Sequence, residues 1–339
     1  MTDTPKSGRA APGASGTRLS VPRMSVPRVS VIVPAHGVAH LLGEALASLL
    51  AQDCAEWEAI VVDDGAPDDV AAAILPFGRD PRIRLLGTDN RGVAVARNRA
   101  VRHARAPLIA LLDGDDAYES DYLTTMLAAI DADPTLGFVT CDASYFGDRA
   151  RAGRLFSAYV PQVPPLTLAR VLSREFNIFT ASVVRRAAFD AVGGYDPLLR
   201  MAEDFDLWLR LLEGGWRGGH VARPLVRYRR RPGSLSGDPR ALLHANASVY
   251  RAAAGRLAGR PEAEIAENMR RACLDEALRA EGETLIIEGR TREGLDLLRR
   301  AGSRGRSLRW RMAMPLMRVL PRIAGPILRR RRGQRESDA

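Results

Sequence analysis

Three carboxylates stand within four residues at Asp113-Gly-Asp115-Asp116. Like charges this close repel one another, and a divalent cation is the common remedy. Hard oxygen ligands suit Mg2+ or Mn2+, which bind through one or two carboxylates together with substrate phosphates. Asp63-Asp64-Gly65 is a second acidic group, with residue types that favour turns and helix caps. Glu203-Asp204 is a third, at the start of a helical pattern where the macrodipole favours acidic residues without any function. Gly92 in Asn90-Arg-Gly92 permits close backbone approach, and Arg97 and Arg229-Arg-Arg231 supply cations, either for a phosphate or as solvated surface charge.

The elements that must carry these groups follow from hydrophobic patterning. Short β-branched or apolar runs predict buried strands at 29–34, 58–62, 82–86 and 107–112. Helical spacing predicts helices at 38–51, 67–77 and 93–104. Such alternation indicates an α/β fold with a mostly parallel sheet flanked by helices. Ligands bind such sheets outside the carboxyl ends of the strands, where Asp63-Asp64 and Asp113–Asp116 both fall. Further on, the pattern predicts helices at 118–131, 186–192 and 203–213, and strands at 137–142, 178–184 and 220–228. Residues 145–165 read as irregular and Pro-rich. From about 240 to 300 the pattern is helical throughout, which places a boundary near residue 238 and predicts a C-terminal all-α region.

The chain has 339 residues, 46% hydrophobic and 27% charged, with a formal net charge of +10. That composition excludes global disorder, a collagen and a disulfide scaffold. The charge is uneven: residues 1–28 carry +4 and residues 304–339 carry +9, which leaves −3 for the body between them. A folded basic cleft for nucleic acid is therefore not expected. Cys54, Cys141 and Cys273 form no CxxC pair, and the histidines show no metal-ligand spacing. The N-terminal stretch lacks an apolar signal core and reads as a disordered basic leader over 1–28. Residues 308–328 interleave apolar residues with Arg ahead of Arg329–Arg332. This tail, 304–339, reads either as a segment resting on an anionic membrane face or as a packing segment for the helices.

Five pieces in order carry a family resemblance: Val29-Ser-Val-Ile-Val-Pro34, Ile60-Val-Val-Asp-Asp-Gly65, Asn90-Arg-Gly-Val-Ala-Val-Ala-Arg-Asn98, Leu111-Leu-Asp-Gly-Asp-Asp116 and Ala202-Glu-Asp-Phe-Asp-Leu-Trp208. Residues 29–238 resemble the family 2 inverting glycosyltransferases of the GT-A fold. The resemblance implies a nucleotide-diphospho-sugar donor, a sugar or lipid-linked acceptor, and Mg2+ or Mn2+. It implies donor contacts at Pro34, Ala35, His36, Asp64, Gly92, Arg97, Asp113, Gly114 and Arg231, and a metal ligand at Asp115. It implies a general base at Asp204 with Glu203 beside it, and an acceptor side at Gly194, Tyr195 and Trp208, although Trp208 also suits a core position. Two departures stand out. Ala35-His36 replaces an aromatic-Asn pair, and Arg231 stands where the family has a His, where a guanidinium can serve a phosphate but cannot ligate a cation. These departures sustain a rival reading, a membrane- or nucleic-acid-binding protein with a degenerate transferase site. A sugar-phosphate nucleotidyltransferase is disfavoured, because Pro34-Ala-His-Gly37 is not a basic Gly-rich loop. The expected location is the cytoplasm, peripheral to the inner face of the cell membrane.

Overall fold

A computed structural model describes residues 26–147, 150–231, 234, 237–301 and 328. Its elements, in chain order, are β1 (Val29–Ala35), α1 (Ala39–Leu50), β2 (Trp57–Asp64), α2 (Val70–Ile74), β3 (Ile83–Thr88), α3 (Val93–His103), β4 (Leu108–Leu111), β5 (Ala117–Tyr118), α4 (Tyr122–Asp131), β6 (Leu136–Phe146), α5 (Leu168–Leu172), β7 (Val183–Arg185), α6 (Arg186–Ala191), α7 (Glu203–Glu213), β8 (Arg217–Arg229), α8 (Pro239–Arg256), α9 (Pro261–Ile287) and α10 (Thr291–Arg300).

The eight strands form one mixed sheet in the order β3-β2-β1-β4-β7-β6-β8-β5. β3, β2, β1 and β4 are mutually parallel, as expected. The other half mixes directions, with β7 antiparallel to both β4 and β6 and β8 parallel to β6. Side chains alternate across a strand, and β1 shows the consequence. Val29, Val31 and Val33 join a core layer with Leu42, Leu46 and Leu49 of α1 and Met126 of α4. Ile32 joins Ile60 of β2, Ala96 and Ala100 of α3, and Trp208 of α7 on the other face. Ser30 breaks the apolar run and donates to Glu58, a fully buried carboxylate that also accepts from the Arg105 amide.

Two expectations are corrected. Of the expected strand 178–184 only Val183 and Val184 enter the sheet, within β7. Ahead of it, the Ser182 hydroxyl and amide donate to the carbonyls of Phe179 and Thr180, so local turn bonds replace the ladder. The two-residue β5 carries too short a pattern to read from sequence, and α4 begins at Tyr122 rather than 118. The helices after residue 239 do not stand apart. Val249, Tyr250 and Ala253 of α8 share a core with Leu168 and Leu172 of α5 and with Phe205 and Leu209 of α7. The leader 1–25 and the tail, apart from Leu328, lie outside the described residues; Leu328 is buried beside Ile286, Leu295 and Leu298. Among the described residues, no helix is long and apolar enough to cross a membrane.

Candidate active site

The sheet order explains why distant motifs meet. β2, β1 and β4 are adjacent and parallel, so Asp64, Ala35 and Asp113 emerge side by side at their carboxyl ends. β5 pairs antiparallel with β8, Ala117 facing Arg227, which brings the residues just before β5 alongside those at the end of β8. Together with the first turn of α7 these ends surround a cleft of about 780 Å³. Pro34, Ala35, His36, Asp64, Gly92, Arg97, Asp113, Gly114, Asp115, Glu203, Asp204, Trp208 and Arg231 all line it.

Asp64 is nearly buried and holds the loop after β3. Its Oδ1 accepts from the Arg91 amide at 3.1 Å and its Oδ2 from the Gly92 amide at 2.8 Å. Gly92 has φ +93, a left-handed value that favours glycine. His36 is exposed and meets Asn90 Nδ2 at 2.9 Å through Nε2. Gly114 is required by proximity: a Cβ there would lie 2.9 Å from the Pro34 carbonyl oxygen, so the loops after β1 and β4 touch backbone to backbone.

Arginines organise the acidic cluster. Arg97, only 3% exposed, donates to Asp113 at 2.5 Å and to Glu203 at 2.6 Å, tying the end of β4 to the start of α7. Arg231 Nε donates to Asp115 Oδ2 at 2.7 Å. The backbone amide of Arg229 donates to Asp116 Oδ1 at 2.8 Å. Burial pushes the Asp115 carboxyl above its ordinary value, the neighbouring Asp113 adds to this, and Arg231 pulls it back in part. Burial also raises the Glu203 carboxyl; Arg97 opposes that shift and Asp204 reinforces it.

Glu203 and Asp204 differ in setting. Glu203 is buried against Arg97, whereas Asp204 is half-buried, with Oδ2 accepting from the Thr180 hydroxyl at 2.7 Å. Ala202, immediately before them, adopts φ +59, a conformation L-residues rarely take. That turn sets the carboxylates into the first turn of α7.

The expected acceptor-side residues are placed differently. Gly194 and Tyr195 do not line the cleft. Asn98 clasps the Tyr195 backbone, donating to its carbonyl at 2.7 Å and accepting from its amide at 2.9 Å, so this turn holds α3 against the segment before α7. Trp208 borders the cleft from within the core; its ring is fully buried and lies 5.1 Å from that of Phe138. The wall beyond Asp204 comes instead from Phe156, Phe179, Tyr228, Arg174 and, on α8, Leu242 and Asn246. Arg174 and Phe156 lie outside every predicted element, whereas Phe179 and Tyr228 fall in the predicted strands 178–184 and 220–228 and Leu242 and Asn246 in the helical pattern after 240. Tyr228 also starts the Tyr228-Arg-Arg-Arg231 motif; the others have no motif to mark them as cleft residues.

A divalent cation would find few protein ligands here. Arg231 occupies Asp115 Oδ2, Arg97 pairs with Asp113, and Asp116 is 4% exposed. Among the described residues, no three His, Cys, Asp or Glu side chains form a cage. The donor set therefore fits an ion that takes one carboxylate, Asp115, and draws its other ligands from substrate phosphate and water.

The glycosyl transferase family 2 model matches residues 30–193. The succinoglycan biosynthesis protein ExoO of Rhizobium meliloti (strain 1021) is 33% identical over 221 residues, which are 60% of this chain and 61% of that protein. The chain thus spans less than two thirds of this curated relative. Residues 1–349 of S. aureus TarS, solved in complex with UDP-GlcNAc, superpose with a TM-score of 0.60 at 19% identity, covering 81% of this chain and 90% of that one. The mannosyltransferase PcManGT of Pyrobaculum calidifontis, solved with GDP-Man and Mn2+, gives 0.58 at 20% identity, covering 89% and 87%. The fold is of the GT-A type, and residues 30–193 match glycosyl transferase family 2.

Proposed function

We propose that this protein is an inverting glycosyltransferase that moves a sugar from a nucleotide-diphospho-sugar donor to an acceptor hydroxyl, in the synthesis of a cell-surface polysaccharide or glycoconjugate. One observation carries the reading. Asp64, Asp113, Asp115 and Asp204, from three separate segments, line a single cleft. A site degenerate in function has no reason to keep them together. The succinoglycan role in the name of ExoO, and the nucleotide sugars bound to TarS and PcManGT, support the substrate class.

In this reading Asp64 and the Gly92 loop receive the base, and Asp113 receives the ribose. Asp204 accepts the proton of the acceptor hydroxyl, whose oxygen bonds to the anomeric carbon as the bond to the diphosphate breaks. One base suffices, because a direct displacement inverts the centre without a covalent sugar intermediate. Thr180 orients Asp204, and Arg97 keeps Glu203 paired and out of the base role. When bound, Mg2+ or Mn2+ would be held by Asp115 and would supply charge neutralisation at the leaving diphosphate. The aromatic wall of Phe156, Phe179 and Tyr228 suits an acceptor sugar ring. The basic, apolar-interleaved tail suits an anionic membrane face and a lipid-linked acceptor, which would place the enzyme at the cytoplasmic side of the membrane.

The test is turnover of UDP-, GDP- and dTDP-sugars with and without Mn2+, with the anomeric configuration of the product read by NMR. Consumption of one donor with inversion is expected. Failure of every donor to bind, or retention of configuration, would remove the proposal. Sedimentation with anionic but not neutral vesicles, lost on deletion of residues 304–339, is the corresponding test of the tail.

A further inference from the structure

The arginines that line the cleft are not equivalent. Arg97 is buried and shared between Asp113 and Glu203. Arg229 is engaged by Glu44, by the Asp115 carbonyl and by the face of Phe146. Arg174 lies on the ring of Phe205 at 3.7 Å and donates to Tyr250 and Asn246 of α8. Arg200 is exposed and lies beside Gly92. Among the described residues, Arg231 alone pairs with the carboxylate that the motif reserves for a metal. Its Nε donates to Asp115 Oδ2 at 2.7 Å, and the two side chains stay 24% and 18% exposed, so the pair faces the cleft rather than the core.

A diphosphate entering this space meets Asp113, Asp115, Glu203 and Asp204, and its negative charge requires a counter-charge. A guanidinium is always charged, and its planar fork of five N–H donors matches phosphate oxygens. The Asp115 contact uses one of those donors and fixes the side chain in place. A divalent ion seeking Asp115 has to share that carboxylate with the guanidinium, which repels it.

We infer that Arg231 is a resident counter-cation for the donor's diphosphate, sharing Asp115 with any divalent ion, so that the cleft holds a nucleoside diphosphate without metal. This rests on the transferase reading above and changes what the metal is needed for: the protein supplies part of the positive charge from its own chain.

The test is calorimetric titration of the full chain with UDP, GDP and dTDP, in EDTA and in Mn2+, for the wild type, Arg231→Ala and Arg231→Lys. Mn2+ binding without nucleotide is followed in parallel by electron paramagnetic resonance. The wild type is expected to bind at least one nucleotide in EDTA within about tenfold of its affinity in Mn2+. Arg231→Ala is expected to lose about tenfold or more in EDTA, the worth of a charged hydrogen bond, with Mn2+ restoring most of it. Arg231→Lys, which keeps the charge and loses the fork, should fall between. Mn2+ alone should bind Arg231→Ala more tightly than the wild type, because Asp115 is released. Wild-type binding that vanishes in EDTA, an Arg231→Ala profile equal to that of the wild type, or weaker Mn2+ binding by Arg231→Ala would each overturn the inference and leave the transferase reading standing. Absence of nucleotide binding under every condition would overturn both. If melting shows Arg231→Ala to be unfolded, the wild-type comparison and Arg231→Lys decide.

Discussion

Asp116 sits in surroundings that act directly on its ionisation. Burial pushes its carboxyl well above the ordinary value, Asp113 and Asp115 add to the shift, and the Arg229 amide offsets only part of it. A carboxyl raised in the folded state favours folding most below its unfolded value, and loses that contribution as pH rises through the folded value. Asp116→Asn retains an acceptor for the Arg229 amide and removes the ionisation. It is expected to raise the melting temperature at about pH 8, with the gain shrinking toward about pH 4; no gain at the higher pH would contradict this. Asp64, Asp113 and Asp115 were legible through the motifs that carry the family resemblance, each just after a buried run; by residue type alone Asp63-Asp64-Gly65 reads equally as a turn or helix cap. Thr180 was not legible, since it lies in an apolar stretch that mimics a strand, and Arg174, at φ +63 on an irregular segment, has no pattern to betray it.

At the scale of elements, the cleft depends on how closely the loops after β1 and β4 approach. A methyl group at Gly114 would press on the Pro34 carbonyl at 2.9 Å and on Val38 at 3.0 Å, and the backbone atom has no rotamer by which to escape. Gly114→Ala is expected to destabilise the fold by about 1–3 kcal/mol, the usual cost of overpacking, and to weaken donor binding. Chemical denaturation checks the first and calorimetry the second; a neutral result in both would contradict the close approach. Strands β1, β2 and β4 were readable because burial on both faces gives continuous apolar runs. The mixed half of the sheet was harder. β7 and β5 are three and two residues long, too short for periodicity, and their placement depends on partners far away in sequence. The segment 193–196 differs from the expectation for another reason. The resemblance implies an acceptor side at Gly194 and Tyr195, while Asn98 holds the Tyr195 backbone and Phe189 packs on its ring, which keeps both residues buried outside the cleft lining.

For the whole molecule, α8 and α9 share a buried core with α5 and α7 of the sheet-bearing region. Tyr250 of α8 is fully buried, donates its hydroxyl to the Leu172 carbonyl at 2.9 Å, and packs edge-on against Phe205 next to the carboxylates of α7. Tyr250→Ala is expected to cost about 3–5 kcal/mol within one cooperative transition. Two separate transitions in calorimetry would show instead that the helices fold apart. Leu242 and Asn246 of the same helix line the cleft, so the C-terminal region shapes that cleft as well as packing beside it. Helical spacing revealed α8–α10 but not their docking, because an amphipathic face does not name its partner. Charge was the more informative whole-chain property: the excess of +10 belongs to the two ends, and the body that holds the cleft is mildly acidic. The most direct measurement is donor affinity and transfer rate on one protein, Asp204→Asn, beside the wild type. Removing a general base should lower transfer by about 100-fold or more while donor affinity stays within about threefold. Unchanged transfer, or loss of donor binding in a folded variant, would contradict the assignment of Asp204 as the base of this cleft.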